Sequence, residues 1–327
     1  MVVLKFVLLA GLLFAGTVYA IGQASCVAFE ASTSTFPVVA NGKATKILVS
    51  PDDWPGVQRA AFDFASDIQQ VTNIKPSLEN ITISPSTLSA DLKGTTSAII
   101  VGTLGKSSLV DQIVKNTKLN VSSVEGKWEA FMAKEVKDPF PGVPSAYVII
   151  GADKRGTIYA MYDHSEQFGC SHGSPAVKYR GIFLNDEQPA LQNWAMVRFT
   201  NGTGAALTGS PFNHFFYTKL FELLLRVKAN YLWPAQWSSA FGVDDLQNQP
   251  LADWYGIVMG TSHEEPLMRS IPVEWGLFGT GPWDYSTNSK NIYDFWVTGV
   301  ERARPYENLF TMGMRGDGDR EFQTPFK

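Results

Sequence analysis

Side chains able to move protons, carry charge or stack on a sugar recur at four places in the sequence, each just after an apolar run that reads as a β-strand. They are Asp186 and Glu187, Trp233 and Trp237, His263 and Glu264, and the group Arg315, Asp317 and Asp319. Paired carboxylates over aromatic rings suit glycoside hydrolysis. Cleaving an acetal needs one group to protonate the leaving oxygen and another to activate water or attack the anomeric carbon, and Asp or Glu can do both when their surroundings separate their pKa values. A nearby Arg and His add hydrogen-bond partners for an anionic sugar, with Arg gripping a carboxylate in two-pronged fashion.

Each motif also has a plainer reading. Asp317-Gly318-Asp319 resembles the start of a calcium loop, but the sixth position holds Phe322 where that loop needs Gly. His263-Glu264 begins a zinc-protease motif, and Leu267 stands where the second His would be. Trp233 and Trp237 could be packing residues, His263 a solvated loop residue, and Asp186 and Glu187 helix caps.

Two stretches of different periodicity must position these groups. In residues 45 to 170, Thr45 to Val49, Ser97 to Gly102 and Tyr147 to Gly151 read as strands. Trp54 to Val71 carries Val57, Ala61, Phe64, Ile68 and Val71 at helical spacing, and Arg155 to Phe168 reads as a helix stopped by Gly169. Alternating strands and helices predict a small α/β layer domain. Gly102-Thr103-Leu104-Gly105-Lys106-Ser107 invites a phosphate-loop reading, but two residues separate its glycines where that motif needs four, so a strand-end turn is expected.

From Val177 onward the pattern becomes strand, functional loop, helix. The strands are Val177 to Leu184, Tyr231 to Trp233, Ile257 to Gly260 and Leu309 to Gly313; the helices are Asn213 to Asn230, a stretch around Leu251 to Tyr255, and Asn288 to Arg304. This is the habit of a (β/α) barrel, whose active site is built by the loops after the strands. A closed eight-stranded barrel takes about 250 residues, whereas only residues 177–327 remain for it. The predicted architecture is therefore α/β: a leader at 1–20, an N-terminal α/β domain at 21–172, and at 173–327 an incomplete (β/α)8 TIM-type barrel of about four of eight units. A chain truncated in this way would expose strand edges and be poorly stable alone.

Composition sets the outer limits. The 327 residues are 45% hydrophobic and 18% charged, which excludes a disordered chain, and Lys plus Arg (27) against Asp plus Glu (31) gives a net charge of −4, so no basic surface invites nucleic acid. Lys5, the apolar run Phe6 to Val18 and the small Ala20 form a secretory signal, too short for the ~20 residues that span a bilayer. A secreted, extracellular product without a membrane anchor is expected. Sequons at Asn80, Asn120 and Asn201 fit that route as glycosylation sites. Cys26 and Cys170 could pair there or stay as buried thiols.

Four ordered blocks carry a family resemblance: KYRGIFLNDE (Lys178 to Glu187), FELLLRVKANYLWPAQW (Phe221 to Trp237), LADWYGIVMGTSHEEP (Leu251 to Pro266) and MGMRGDGD (Met312 to Asp319). They resemble glycoside hydrolase family 115, the xylan α-1,2-glucuronidases. The segment Gly151 to Gly169 is similar to the α/β domain ahead of the barrel in this family and in related glucuronidases and hexosaminidases. The resemblance implies inverting removal of glucuronic or 4-O-methyl-glucuronic acid from glucuronoxylan or its oligosaccharides, with no cofactor. It implies that Asn185 and Asp186 line the glucuronate pocket, that Trp237 and His263 contact substrate, and that Arg315, Asp317 and Asp319 form the acidic loop. Asp186 and Asp319 become the candidates for positioning or deprotonating the attacking water. Glu264 stands where the family often has a second His, and the family's general acid, a Glu on a later strand, has no counterpart up to Lys327. The isolated chain is thus expected to be inactive, and a homodimer of the full-length protein stays open. Two other classes stay open as well: a secreted, non-catalytic carbohydrate binder, and another glycosidase of hexosaminidase type.

Overall fold

The computed structural model describes residues 27–30, 32, 35–83, 92, 95–165, 171–185 and 187–321. The leader, Cys26, Cys170, Phe168, Gly169 and Asp186 lie outside them.

The first strands, β1 (Val39–Ala40) and β2 (Lys43–Ala44), form a short antiparallel ribbon. A six-stranded sheet then builds from β3 (Ile47–Val49), helix α1 (Pro55–Thr72), β4 (Leu78–Asn80), β5 (Ser97–Thr103), helix α2 (Ser108–Thr117), β6 (Phe131–Phe140), β7 (Val143–Gly151), helix α3 (Lys154–Ser165) and β8 (Ser171–His172). Its order is β4-β3-β5-β7-β6-β8. β4, β3, β5 and β7 run parallel, and β6 runs antiparallel to β7 and β8. The helix over Trp54 to Val71 is found almost as expected, started by Pro55 and stopped by Asn73 in left-handed geometry (φ 59°). Its apolar stripe, with Phe64 and Ile68, packs with Ile158 and Tyr162 of α3 on one face of the sheet. Leu109, Val110 and Ile113 of α2 cover the other face. Each such side chain contributes roughly 1.5–3 kcal/mol on burial, against about 0–1 kcal/mol for an exposed pair such as Lys137–Glu135. The helix layers, not surface charge, hold the sheet together.

The second half continues with β9 (Gly181–Phe183), α4 (Gln192–Phe199), α5 (His214–Arg226), β10 (Tyr231–Trp233), α6 (Asn248–Tyr255), β11 (Val258–Met259) and α7 (Tyr285–Ala303). β9, β10 and β11 are parallel neighbours in chain order. Asn213 caps α5 and Asp284 caps α7 with their side-chain oxygens. Three expected strands are shorter than the sequence suggests; the third, expected over Ile257 to Gly260, covers Val258–Met259. The first covers Gly181–Phe183 rather than Val177 to Leu184, because Arg180 Nη1 donates to the carbonyls of Val177 (2.8 Å) and Lys178 (3.0 Å) and removes them from sheet pairing. The fourth, expected over Leu309 to Gly313, is corrected to a single parallel bridge between Asn308 and Met259. Leu309 N–H still donates to Met259 O (2.9 Å), but Thr311 O accepts from Leu267 (3.0 Å) and its hydroxyl bonds Thr261 O, which draws the chain toward the loop after β11. The fold is mixed α/β, and the second sheet is open among the described residues. None of the described helices is long and apolar enough to cross a membrane.

The two sheets share one core. Tyr217, Phe221, Leu224, Leu232 and Met259 belong to the same buried cluster as Phe64 and Ile158. At its centre the carboxylate of Glu129, 1% exposed, accepts from Arg155 Nε (2.6 Å), Asn230 Nδ2 (2.6 Å) and Arg180 Nη2 (2.7 Å). One buried anion thereby joins the loop before β6, α3, the entry to β9 and the entry to β10.

Candidate active site

The residues of the acidic loop are held by a tight hairpin. Gly316 N–H donates to Arg320 O (2.8 Å), and Gly318 (φ 69°) and Asp319 (φ 60°) turn the chain in left-handed geometry. Trp283 Nε1 donates to Arg315 O (2.9 Å) and ties the hairpin to the segment before α7. Arg315 Nη2 reaches Asp319 Oδ1 at 2.9 Å and donates to its carbonyl at 3.0 Å. His263, from the loop after β11, meets the same Oδ1 at 3.1 Å. Asp319 Oδ2 has no hydrogen bond among the described residues, which leaves a carboxylate oxygen able to accept from water or a sugar hydroxyl.

Glu264 joins this group. Burial pushes its pKa up from the ordinary Glu range and the Asp319 charge pushes it further, while the Asp319 N–H bond, His263 and Arg315 oppose the rise. Two carboxyl groups thus share one mouth in unlike surroundings. Such a pair can divide acid and base work. The sign of a pH effect follows. A raised folded-state pKa gives stability that is present below the unfolded Glu value of about 4.3 and is lost as pH rises through the folded value. Glu264→Gln is therefore expected to gain on the wild type in thermal midpoint between pH 4 and pH 7, and a gap between the two proteins that stays constant with pH refutes this.

The loop carrying His263 is fixed by a residue absent from the sequence-derived candidates. Glu265, 5% exposed, accepts from Ser262 N (3.0 Å) and Ser262 Oγ (2.5 Å). The spacing Ser262-x-x-Glu265 is that of a capping box and was the available signal. Below it, Glu274 forms ion pairs with Arg269 (3.0 Å) and Arg302 (3.1 Å), and burial pushes Arg269 down to about 10.

The remaining candidates surround a different part of the second sheet. Asn185 is exposed just past β9. Glu187 is 2% exposed, and its Oε1 accepts from Gln236 N (3.2 Å) and Trp237 N (2.7 Å), so it clamps the loop after β9 to the loop after β10. Trp237 itself is 67% exposed, as a sugar platform would be. Trp233 packs edge-on to Phe183 (5.1 Å) and donates from Nε1 to Tyr231 Oη (2.6 Å). Gly260 makes room for that pair, since a Cβ there would sit 2.0 Å from Tyr231 Oη. Asp317 is exposed at the hairpin tip without a side-chain partner among the described residues. The structure thus brings together His263, Glu264, Arg315 and Asp319; it places Asn185, Glu187, Trp233 and Trp237 at the ends of the two neighbouring strands. The sequon residues Asn80, Asn120 and Asn201 are all exposed. Among the described residues no three metal-ligand side chains converge.

The family model for glycosyl hydrolase family 115 matches residues 172–326. A solved family GH115 4-O-methyl-alpha-glucuronidase, BtGH115A, with specificity for decorated arabinogalactans, superposes with a TM-score of 0.71 at 28% identity over 88% of this chain. Residues 172–326 belong to glycosyl hydrolase family 115. This chain covers 38% of that neighbour's length. CpGH84D (9% identity, TM-score 0.42, covering 80% of this chain and 39% of its own) and a Flavobacterium johnsoniae chitobiase, FjGH20 (11%, 0.43, 84% and 42%), are more distant. No curated protein matches the sequence. In this family-115 region the matched residues include the whole cluster around Asp319.

Proposed function

We propose that this chain supplies the first half of a (β/α)8 barrel in a secreted α-glucuronidase, which removes glucuronic or 4-O-methyl-glucuronic acid from glucuronoxylan by inverting hydrolysis. The observation that carries the proposal is the convergence of His263, Glu264, Arg315 and Asp319 after β11 and the Asn308 bridge, within a glycoside hydrolase region. Arg315 and His263 exchange part of their hold on Asp319 for the sugar carboxylate. Asp319, through its free oxygen, and Asp186 position or deprotonate the attacking water, an inverting arrangement requiring carboxyl groups roughly 6.5 to 9.5 Å apart. Trp237 offers a flat, exposed ring to a pyranose face. On this reading the general acid is a Glu on a strand of the barrel's second half, and turnover requires both halves together.

The test is incubation of the full-length protein with glucuronoxylan and, because the solved neighbour prefers them, with decorated arabinogalactans. Proton NMR should show release of a uronic acid whose first-formed anomer is β. Release of the α-anomer first, or no uronic acid from either polysaccharide, overturns the reading. Turnover by the 327-residue chain would overturn its half-site part.

A further inference from the structure

The six-stranded sheet has its own crevice, far in sequence from the candidate active site. From β3 the chain steps outward through α1 to β4, then returns across β3 to β5 and β7 on the opposite side, so the strand order reverses between β3 and β5. Helices α1 and α2, which follow these two strands, pack on opposite faces of the sheet. In open α/β sheets such a reversal leaves a ligand crevice outside the carboxyl ends of the strands. Here a cavity of about 360 Å³ opens at that place, lined by the turns after β3, β5 and β7 and by Glu307. That is within the size range of small-molecule sites.

The chemistry of its walls selects a ligand. Trp54, 40% exposed, has two ammonium groups near its ring, Lys106 Nζ at 4.9 Å and Lys154 Nζ at 5.7 Å from the centroid. Lys154 is engaged, donating to Asp253 O (2.5 Å), and Arg155 is paired with Glu307 (2.7 Å). The Asp153 carboxylate is spent on Glu129 N and Gly156 N (both 2.8 Å). The Lys106 ammonium makes neither a hydrogen bond nor an ion pair among the described residues and lies near the indole. A phosphate is not what this cavity fits. The amides of Leu104, Gly105, Lys106 and Ser107 already donate to Gly151 O, Asp111 Oδ1 and Thr103 O, so the loop offers no nest of free N–H groups. What remains is a flat aromatic face beside one uncommitted cation.

We propose that this cavity binds a sugar carboxylate, with the pyranose against Trp54 and the carboxylate on Lys106, as a second subsite for the polymer. The choice of a sugar acid, rather than the site itself, rests on the function proposed above. The probe is free D-glucuronate, with D-xylose as the neutral control, titrated by saturation-transfer NMR against the full-length protein bearing His263→Ala and Arg315→Ala to silence the other site. Glucuronate is expected to bind this variant in preference to xylose, and Trp54→Ala or the exposed Lys106→Met should each weaken it about tenfold, with Lys106→Arg retaining binding. No preference for glucuronate, or binding indifferent to both Trp54→Ala and Lys106→Met, overturns the inference. Loss of uronate release with this binding intact would instead strike only the hydrolase reading.

Discussion

Glu129→Ala should lower the thermal midpoint by roughly 10 °C, from a loss of about 3–5 kcal/mol. The side chain of Glu129 is 0% exposed, and its removal strips the anion from Arg155 (11% exposed) and Arg180 (23% exposed) in the region where the two sheets meet. Arg155 keeps Glu307, and Arg180 keeps the carbonyls of Val177, Lys178 and Lys228, but Asn230 Nδ2 keeps only Lys178 O. Leaving buried cations without their counter-ion is costly because water cannot replace it. Glu129→Gln, which keeps the shape and one acceptor, should lose less. The control is Glu135→Ala, whose partner Lys137 is 69% exposed, with an expected change under about 1 kcal/mol. Thermal scans in which Glu129→Ala moves no further than Glu135→Ala would remove Glu129 from the centre of the fold.

Asp319→Asn should cut the full-length enzyme's turnover by about 10²- to 10⁴-fold, the usual contribution of a positioned acid–base group. Stability should scarcely move. The partners of Asp319 are half exposed, His263 at 53% and Arg315 at 47%, and ion pairs in that setting contribute about 0–1 kcal/mol. Asn also keeps an oxygen for His263 and Arg315, so the hairpin survives while the proposed base is lost. The measurements are kcat on a glucuronoxylan oligosaccharide beside the thermal midpoint. Unchanged kcat, or a fall matched by unfolding, would deny Asp319 a chemical role.

The parts of this molecule that could be read from sequence are those in which one residue pattern has one physical outcome. Apolar spacing with Pro55 at its start gives α1, and SAIIVG gives β5, since burial on both faces leaves no other use for such a run. β6 was not legible: Lys134, Glu135, Lys137, Asp138 and Pro139 look like a loop, yet the strand has an exposed face, and its register shifts where Asp138 turns left-handed (φ 47°). α2 carries a legible signal, since Ser107 caps it and Leu109, Val110 and Ile113 sit at helical spacing. Within the site, the loop after β11 and the hairpin beyond the Asn308 bridge bring His263 to Asp319. The burial of Glu187 could not be foreseen, because a carboxylate after a strand serves equally to meet a sugar or to hold backbone amides. Its partners are decided by the path of a loop fifty residues away.

That clamp has a mechanical consequence. Because one carboxylate spans the Trp237 amide and the position beside Asp186, the first two loops of the rim cannot drift independently. A displacement of the Trp237 backbone is felt at Glu187, so the two loops shift as one unit.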